Sequence, residues 1–301
     1  MNSRATAQLK GGKEGPTTGE EQPQAILRGR RERLPRLRVE GISEPIFELP
    51  PAKSTQQSVI ALSLAKAGST MFFEILRGLC EHSGLTYVNF AHAYFVNGVD
   101  PSRIPKDERK IFRAAGYCYA GFRSIPTGYS AKAVRSMKKM LLVRDMRDTL
   151  VSRYFSGAHT HPMPGSVLDE RYRDLYQAER DMLIRECVNL GVLALMDEYR
   201  TFWDRYKREM RRSEFKVWRY EDVVFNKAEW AREICDYAGL VISEEDMGRI
   251  ANTQDIFPEE ERREFIRKVT PGDYKEKLSP VAVSIIDRTF ADYQTQFGYL
   301  T

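Results

Sequence analysis

Short apolar runs alternate along this chain with segments whose apolar residues recur every three or four positions. The runs SVIALSL, GYCYAGF, KKMLLV and EFKVWRY have the length and composition of buried strands. Helical patterns occupy residues 69–84, MRDTLVSRYFS, residues 168–210, VVFNKAEWAREICDYAGL and residues 282–294. Strands that alternate with helices need crossover connections, so the pattern predicts an α/β fold. We expect a doubly wound, mainly parallel sheet with helices on both faces.

The first fifty residues have a different composition from the rest of the chain. They contain few large apolar residues and are rich in Gly, Pro, Gln, Glu and Arg. Because such a segment buries too little apolar surface to offset its ordering, we predict a disordered, Arg-rich leader over residues 1–50. One folded domain is predicted over residues 51–301, with order beginning near Ser58. Two interpretations of the leader remain open: a solvated segment without a partner, or a weak surface contact with phosphate groups or anionic lipid.

Composition narrows the class of protein only modestly. The chain has 47 basic and 42 acidic residues and a net charge of +5. That excess suits an anionic ligand and is too small to indicate nucleic acid. The four cysteines stand singly, which is typical of reduced thiols rather than of disulfides or a metal site. No apolar stretch is long enough to span a membrane and no signal core precedes the domain, so we predict a cytoplasmic location.

A first candidate anion site lies in VIALSLAKAGST, where a strand ends and a helix begins. The start of a helix offers unpaired amides and a partial positive charge. Gly68 permits close approach of the backbone, Ser69 and Thr70 supply hydroxyls, and Lys66 adds a cation. The alternative is an ordinary strand–turn–helix with a solvent-facing lysine. The GxxxxGK[ST] pattern of nucleoside triphosphatases is absent, which disfavours that class.

A second candidate anion site lies in KKMLLVRDMRDTLVSRYFS, again at a strand end followed by a helix. Arg144 ends the strand, and Ser152 follows about two helical turns later. Asp145 and Asp148 either pair with the neighbouring arginines or cap the helix. A charged helix start held by salt bridges is the simpler alternative. Two such sites on different strands suit a ligand with two separate phosphate-like groups, such as an adenosine 3',5'-bisphosphate derivative.

Four segments, taken together, resemble one enzyme family. AKAGST resembles a PKSGTT-type loop, and RDMRDTLVSRYFS resembles an RDPRDxxVSxYxS segment. RYEDVVFN resembles a YED segment, and EFIRKVTPGDYKEKLSP resembles an FxRKGxxGDWK loop. In that order they are similar to the motifs of the sulfotransferases that use 3'-phosphoadenosine-5'-phosphosulfate (PAPS). The resemblance covers residues 58–298 and implies a P-loop-like sulfotransferase fold, PAPS as co-substrate, PAP as product and no metal.

The resemblance assigns the 5' side of the donor to the first loop. Lys66 matches the lysine that binds the phosphosulfate and stabilises charge on the bridging oxygen. Ser69 and Thr70 match the loop hydroxyls, with the amides near Ala67 and Gly68 beside them.

The resemblance also assigns residues to the adenine and to the 3'-phosphate of the donor. Arg144 and Ser152 match the pair that binds the 3'-phosphate, and Arg267 with Lys268 match the C-terminal basic pair on the same group. Tyr220 matches a tyrosine near the adenine, although a core tyrosine at a strand end explains it equally simply. Met71 stands where many members have a tryptophan that stacks on the adenine, which puts that stacking in doubt. Val269 replaces a glycine of the C-terminal loop.

The catalytic base is absent from its usual place. The family's KTH-type histidine segment corresponds to CYAGFRSIP, which contains no histidine. We predict His92 as the base, with Lys66 as the other catalytic residue. His159 or His161 is the next candidate. A carboxylate not yet identified, or Arg123 acting by positioning, remains as a further alternative.

Sulfuryl transfer to an acceptor hydroxyl is therefore the predicted function, with a carbohydrate, a lipid-linked glycan or a small metabolite as acceptor. Two other hypotheses remain. A nucleotide-dependent phosphotransferase would bind ATP with Mg²⁺, and a non-catalytic anion-binding module would bind PAP without turnover. The KxxxTVxxxE dimer pattern does not occur in KEKLSPVAVSIIDRTF, which leaves the oligomeric state open.

Overall fold

A parallel β-sheet forms the centre of the computed structural model, which describes residues 34–100, 104–165, 170–254 and 270–300. Two short strands, β1 (Arg36–Leu37) and β2 (Phe47–Glu48), pair antiparallel outside this sheet. The sheet strands are β3 (Val59–Ser63), β4 (Thr86–Val88), β5 (Tyr117–Phe122), β6 (Lys138–Val143) and β7 (Lys216–Arg219). They are parallel and lie in the order β4–β5–β3–β6–β7. Strand β3 is therefore central, and every one of its residues is buried.

Helices cover both faces of the sheet. They are α1 (Ser69–Glu81), α2 (Ala91–Val96), α3 (Lys132–Arg135), α4 (Met146–Phe155), α5 (Glu170–Arg185), α6 (Val188–Ala194), α7 (Met196–Met210), α8 (Tyr220–Val223), α9 (Lys227–Ala238), α10 (Glu244–Asn252), α11 (Tyr274–Lys277), α12 (Pro280–Thr289) and α13 (Ala291–Gln296). Alternate residues of β3 enter two separate apolar cores, since side chains alternate across a strand. Val59 packs in the core beneath α1, α9 and α10, and Ile60 packs in the core beneath α4, α6, α7 and α12. The predicted doubly wound α/β fold is confirmed.

The sequence patterns located most of these elements but not all of their bounds. The four predicted strands correspond to β3, β5, β6 and β7. Strand β4 was missed because its three residues, TYV, are too few to show a pattern. The helical pattern predicted over residues 168–210 is divided among α5, α6 and α7. The pattern over residues 282–294 is divided at Phe290, where the backbone leaves the helical conformation between α12 and α13.

The folded unit begins earlier in the chain than residue 51. The compact unit starts at Leu34, and strands β1 and β2 lie within the segment assigned to the leader. Leu37 and Leu49 are fully buried in the same core as Ile60. These apolar residues are too sparse to form a core of their own, but they add to one that the sheet already forms. Residues 1–33 lie outside the described residues, and their disorder stays a prediction.

All four cysteines are free thiols, and Cys187 is the exposed one among them. Within the described part of the chain, no helix combines the length and the apolar character that a bilayer crossing needs.

Candidate functional site

A cavity of about 380 Å³ opens where β3, β5 and β6 end. Because these strands are parallel, their carboxyl ends meet at one edge of the sheet, and the loops that follow them line a common space. The polar and charged residues that line the cavity include Lys66, Ser69, Arg123, Arg144, Ser152, Arg153, His161, Glu198 and Tyr220. Cationic side chains from four different segments thus share one confined site.

The loop after β3, residues 64–70 and called here the first loop, turns sharply before α1. Lys66 and Gly68 have φ angles of 66° and 87°, in the left-handed region. The first residue of α1 is Ser69, and Gly68 at the N-cap has no side chain to cap the helix. The amides of the first helical turn therefore remain available at the cavity, where Gly68, Ser69 and Thr70 form part of the wall. The backbone is folded as an anion-binding helix start requires.

Lys66 is held in the cavity rather than in solvent. Its Nζ donates to the hydroxyl of Ser156 at 3.1 Å. Burial, followed by the charges of Arg123, Arg153 and Arg144, lowers the pKa of Lys66 to about 8. Both causes disfavour the charged amine, so an anion in the cavity would restore its proton. The structure excludes the alternative of a solvent-facing lysine.

Arg144 connects the second anion site to the first loop. Its Nη1 donates to the carbonyl oxygen of Lys66 at 3.3 Å, and its guanidinium carbon lies 4.5 Å from the centre of the Tyr220 ring. The side chain is buried, and its Nε has no hydrogen-bond partner among the described residues. Tyr293 orients the backbone here, because its hydroxyl donates to the carbonyl oxygen of Arg144 at 2.7 Å. An unsatisfied buried donor at a cavity wall suits an anionic ligand.

The aspartates of the second site hold its framework. Asp145 accepts from the backbone amide of Arg147 at 2.9 Å and pairs with the same side chain, so it both caps α4 and forms an ion pair. Asp148 accepts from the amides of Gly272 at 2.6 Å and Tyr274 at 2.9 Å. This carboxylate therefore anchors residues 272–274 to α4. Arg267 and Lys268 lie outside the described part of the chain.

Tyr220 and Gly68 are fitted to one another. A Cβ added at Gly68 would lie 2.5 Å from Cδ2 of Tyr220. Tyr220 is buried at the junction of β7 and α8, yet its side chain also forms part of the cavity wall, as do Met71 and Ser152. The simple interpretation of Tyr220 as a core tyrosine and its interpretation as a ligand contact are thus compatible. Ala67 is fully buried beneath the loop, so only its backbone is suited to a ligand.

The structure does not bring His92 into this cavity. His92 lies in the first turn of α2 with an exposed side chain, and its amide donates to Asn89 Oδ1 at 3.2 Å. It is not part of the cavity lining, whereas His159 and His161 both are. The position of His92 along the sequence could not show which way a short helix turns its side chains. The first choice of base is therefore corrected in favour of the two later histidines.

His161 has the features of a neutral imidazole at the cavity wall. Its Nδ1 lies 2.8 Å from the carbonyl oxygen of Pro162, which holds the proton on Nδ1 and leaves Nε2 as an acceptor. The rings of Phe95 and Tyr176 flank it at 5.8 and 5.5 Å. Burial chiefly, with the charge of Lys66 among the further causes, lowers the pKa of His161 to about 4. His159 is exposed by comparison.

The sequence patterns did not indicate Arg153 and its carboxylate partners as part of the site. Arg153 lies on α4, and its Nη2 contacts Glu179 Oε1 at 2.5 Å, while its Nε lies 3.6 Å from Glu198 Oε2. Burial is the main reason that the pKa of Glu198 is raised. These carboxylates come from α5 and α7, two helices that the sequence pattern did not separate. The one indication in the local sequence was that Arg153 follows Ser152 on α4, a helix that is otherwise buried on that side.

Comparisons with known proteins address the family and the fold of the chain rather than its single residues. The model of the sulfotransferase domain family matches residues 125–298, more than half of the chain. The fold is similar to that of mouse sulfotransferase SULT7A1 complexed with PAP, with a TM-score of 0.53 and 13% identity over 81% of this chain and 86% of that one. It is also similar to a retinol dehydratase in complex with retinol and PAP, with a TM-score of 0.49 and 15% identity over 82% of each chain. No curated protein sequence matches the chain.

An α/β sheet with two candidate anion sites at its carboxyl edge is typical of nucleotide-binding proteins. The family match makes this more specific: the chain belongs to the sulfotransferase family. The predicted enzyme class, a sulfotransferase, and the predicted fold are confirmed.

The fit between Gly68 and Tyr220 leads to a test by unfolding. We expect Gly68→Ala to cost about 1–2 kcal/mol through its left-handed backbone and about 1–3 kcal/mol more through the clash with the ring. In a Tyr220→Ala background the second part should disappear, and urea denaturation of the double-mutant cycle measures it. Gly248→Ala is the matched control, because its added Cβ meets nothing within 4 Å. An equal cost of Gly68→Ala in both backgrounds would contradict the contact.

Proposed function

We propose that the cavity binds PAPS with its phosphosulfate at the first loop and its 3'-phosphate at Arg144, while an acceptor hydroxyl approaches from the side of His161. The observation that carries this proposal is the joining of the two anion subsites. Arg144 Nη1 donates to the carbonyl oxygen of Lys66 at 3.3 Å, so one contact fixes both sites relative to each other. A ligand with two anionic ends would be held at both.

The 5' side of the donor is assigned to the first loop. The amides that follow Ala67 and Gly68, with the hydroxyls of Ser69 and Thr70, would bind the phosphosulfate oxygens. Lys66 would lie beside the bridging oxygen and stabilise the charge that develops there. The lowered pKa of Lys66 supports this role, because the amine gains most from an anionic partner.

The 3' side is assigned to Arg144 and Ser152. Arg144 and Ser152 both line the cavity, where a guanidinium and a hydroxyl would donate to phosphate oxygens. Arg267 and Lys268 are predicted to complete this subsite, and their assignment stays a prediction. Asp148 supports it indirectly, since it fixes the backbone of Gly272 shortly after them.

The adenine is assigned to the wall formed by Tyr220 and Met71. Both residues line the cavity, and Arg144 stacks on the Tyr220 ring. A thioether contacts an aromatic base less extensively than an indole does, so Tyr220 would provide the main planar surface. The similar fold of the mouse sulfotransferase complexed with PAP is consistent with a nucleotide at this edge.

The chemistry needs a base, and His161 is the residue we assign. The acceptor oxygen forms a bond to sulfur as the bond from sulfur to the 5'-phosphate oxygen breaks, and the acceptor proton passes to Nε2 of His161. Three nearby cations hold the pKa of His161 down in the free protein, although burial is the larger cause. Anionic charge from the donor would offset those cations, so donor binding would strengthen the base.

The acceptor is proposed to be a hydroxyl compound: a carbohydrate, a lipid-linked glycan or a small metabolite. Phe155, Phe202 and Tyr176 contribute aromatic surface to the cavity. A cytoplasmic location and the leader's contacts stay predictions.

Binding of PAP tests the donor assignment. We expect calorimetry to show PAP binding to the full-length protein, and Arg144→Ala to weaken it about tenfold or more through loss of charge-assisted hydrogen bonds. Arg200→Ala is the matched control, because Arg200 is exposed on α7 and outside the cavity lining. Absence of PAP binding, or tighter binding of ATP with Mg²⁺, would overturn the donor assignment.

The titration of Lys66 predicts a pH dependence of PAP binding. The pKa of the free amine is about 8, and a bound anion raises it. The dissociation constant should therefore be steady below that pH and rise above it by up to about tenfold per pH unit. Lys66→Arg stays charged over this range, so its profile should be flatter. Parallel profiles of the two proteins from about pH 7 to about pH 9.5 would contradict the role of Lys66.

Replacement of the histidines tests the base. With PAPS as donor and phenol as the acceptor probe, His161→Asn should lower kcat about 10²–10⁴-fold, the usual contribution of a general base. His159→Asn and His92→Asn are matched controls and should lower it far less. PAP affinity should change less than about twofold in all three, because no histidine is assigned to the donor. A loss confined to His159→Asn or His92→Asn would move the base to that residue.

A further inference from the structure

Five cations, Lys66, Arg123, Arg144, Arg153 and Lys227, line the cavity, and Lys227 has a partner of its own. The proposed function assigns Lys66 and Arg144 to the donor. Like charges that line one cavity repel each other, and an anionic partner relieves that repulsion. Which partners serve Arg123 and Arg153 is therefore a question about the acceptor half of the site.

Arg153 already has its partners. Glu179 lies 2.5 Å from its Nη2 and Glu198 lies 3.6 Å from its Nε. These two carboxylates balance the charge of Arg153, although its buried Nη1 has no hydrogen-bond partner among the described residues.

Arg123 is different. It follows the last residue of β5, beside the first loop, and its Nε donates to the hydroxyl of Ser69 at 3.3 Å. No ion pair joins Arg123 to a carboxylate among the described residues. The ionisable groups that interact with its charge electrostatically are the phenols of Tyr176, Tyr87 and Tyr199. Arg123 lines the cavity without a carboxylate partner among the described residues, and a guanidinium can bind a planar anion through a pair of hydrogen bonds.

We propose that Arg123 binds an anionic group on the acceptor, so that the preferred acceptor is a hydroxyl compound bearing a carboxylate or a similar anionic oxygen group. This inference rests on the proposed function, since it takes Lys66 and Arg144 to be occupied by the donor. The Arg123 residue is exposed at the cavity, so an acceptor can reach its side chain. Tyr176 and Phe202 line the same cavity and provide surface for the body of the acceptor.

The main competing role of Arg123 is a contact with the sulfuryl group of the donor, because Ser69 belongs to the first loop. The two roles differ in what they require. If Arg123 contacts the acceptor, it discriminates between charged and neutral acceptors. If it contacts the sulfuryl group, it affects all acceptors alike, and inorganic sulfate can take the sulfuryl position once PAP is bound.

A binding experiment on the PAP-saturated full-length protein separates these roles. Calorimetry would compare 4-hydroxybenzoate with 4-hydroxybenzamide, which share shape and hydroxyl and differ in charge. We expect the carboxylate to bind at least about tenfold more tightly, as loss of a charge-assisted pair implies. In Arg123→Gln that ratio should fall to near one, and in Arg123→Lys it should be partly kept. PAP affinity should stay within about twofold, which also shows that the variants fold.

Arg200→Gln is the matched control, since it removes the same charge from an exposed position on α7. Equal affinity for the two probes, no binding of either, or a ratio unchanged in Arg123→Gln would overturn the inference. Loss of the preference in saturating inorganic sulfate would also overturn it, because the carboxylate would then occupy the sulfuryl position. If PAP itself fails to bind, the proposed function fails first, and the two failures are thereby distinguished.

Discussion

The buried guanidinium of Arg144 is the contact on which the rest of the site depends. It donates to the carbonyl oxygen of Lys66, stacks on Tyr220 and is oriented through its backbone by the hydroxyl of Tyr293. Segments that follow β3, β6 and β7 and the last helix of the chain meet in these contacts. Burying such a charge is costly, and the ring face, the carbonyl oxygen and the carboxylate of Asp148, whose Oδ2 lies 3.7 Å from Nη2, offset part of that cost.

Cations and carboxylates both line this cavity, since Asp148 and Glu198 form part of its wall. The carboxylates around α4 serve the framework: Asp145 caps the helix, Asp148 holds the C-terminal segment, and Glu221 accepts from the amide of Asp145 at 3.0 Å. The cations face the cavity, where they lower the pKa values of Lys66 and His161 together with burial. A site with this distribution is prepared for an anionic ligand, because such a ligand relieves repulsion that the protein fold itself maintains.

Local sequence was sufficient to place the residues of both candidate anion sites at the cavity, because each site is a strand end followed by a helix start. Lys66, Gly68, Ser69 and Arg144 reach the cavity through a few residues of chain, so their positions follow from the elements that flank them. His92 shows where this reasoning fails. Its distance from Lys66 along the chain carried no information on the direction of a six-residue helix. The early strands β1 and β2 were missed for a related reason, since Leu37 and Leu49 are buried by a core formed elsewhere.

By itself, the sequence determined the class of fold, the enzyme family and the residues of the first loop and of α4 that line the cavity. Periodicity and motif order are properties of a continuous chain, and these features need nothing more. The tertiary structure decided the rest of the cavity wall, where Arg123, His161 and Glu198 converge from three separate segments. Contacts between α4, α5 and α7 neutralise Arg153 and leave Arg123 without a carboxylate among the described residues. That difference arises from distances through space, which no pattern along the chain encodes.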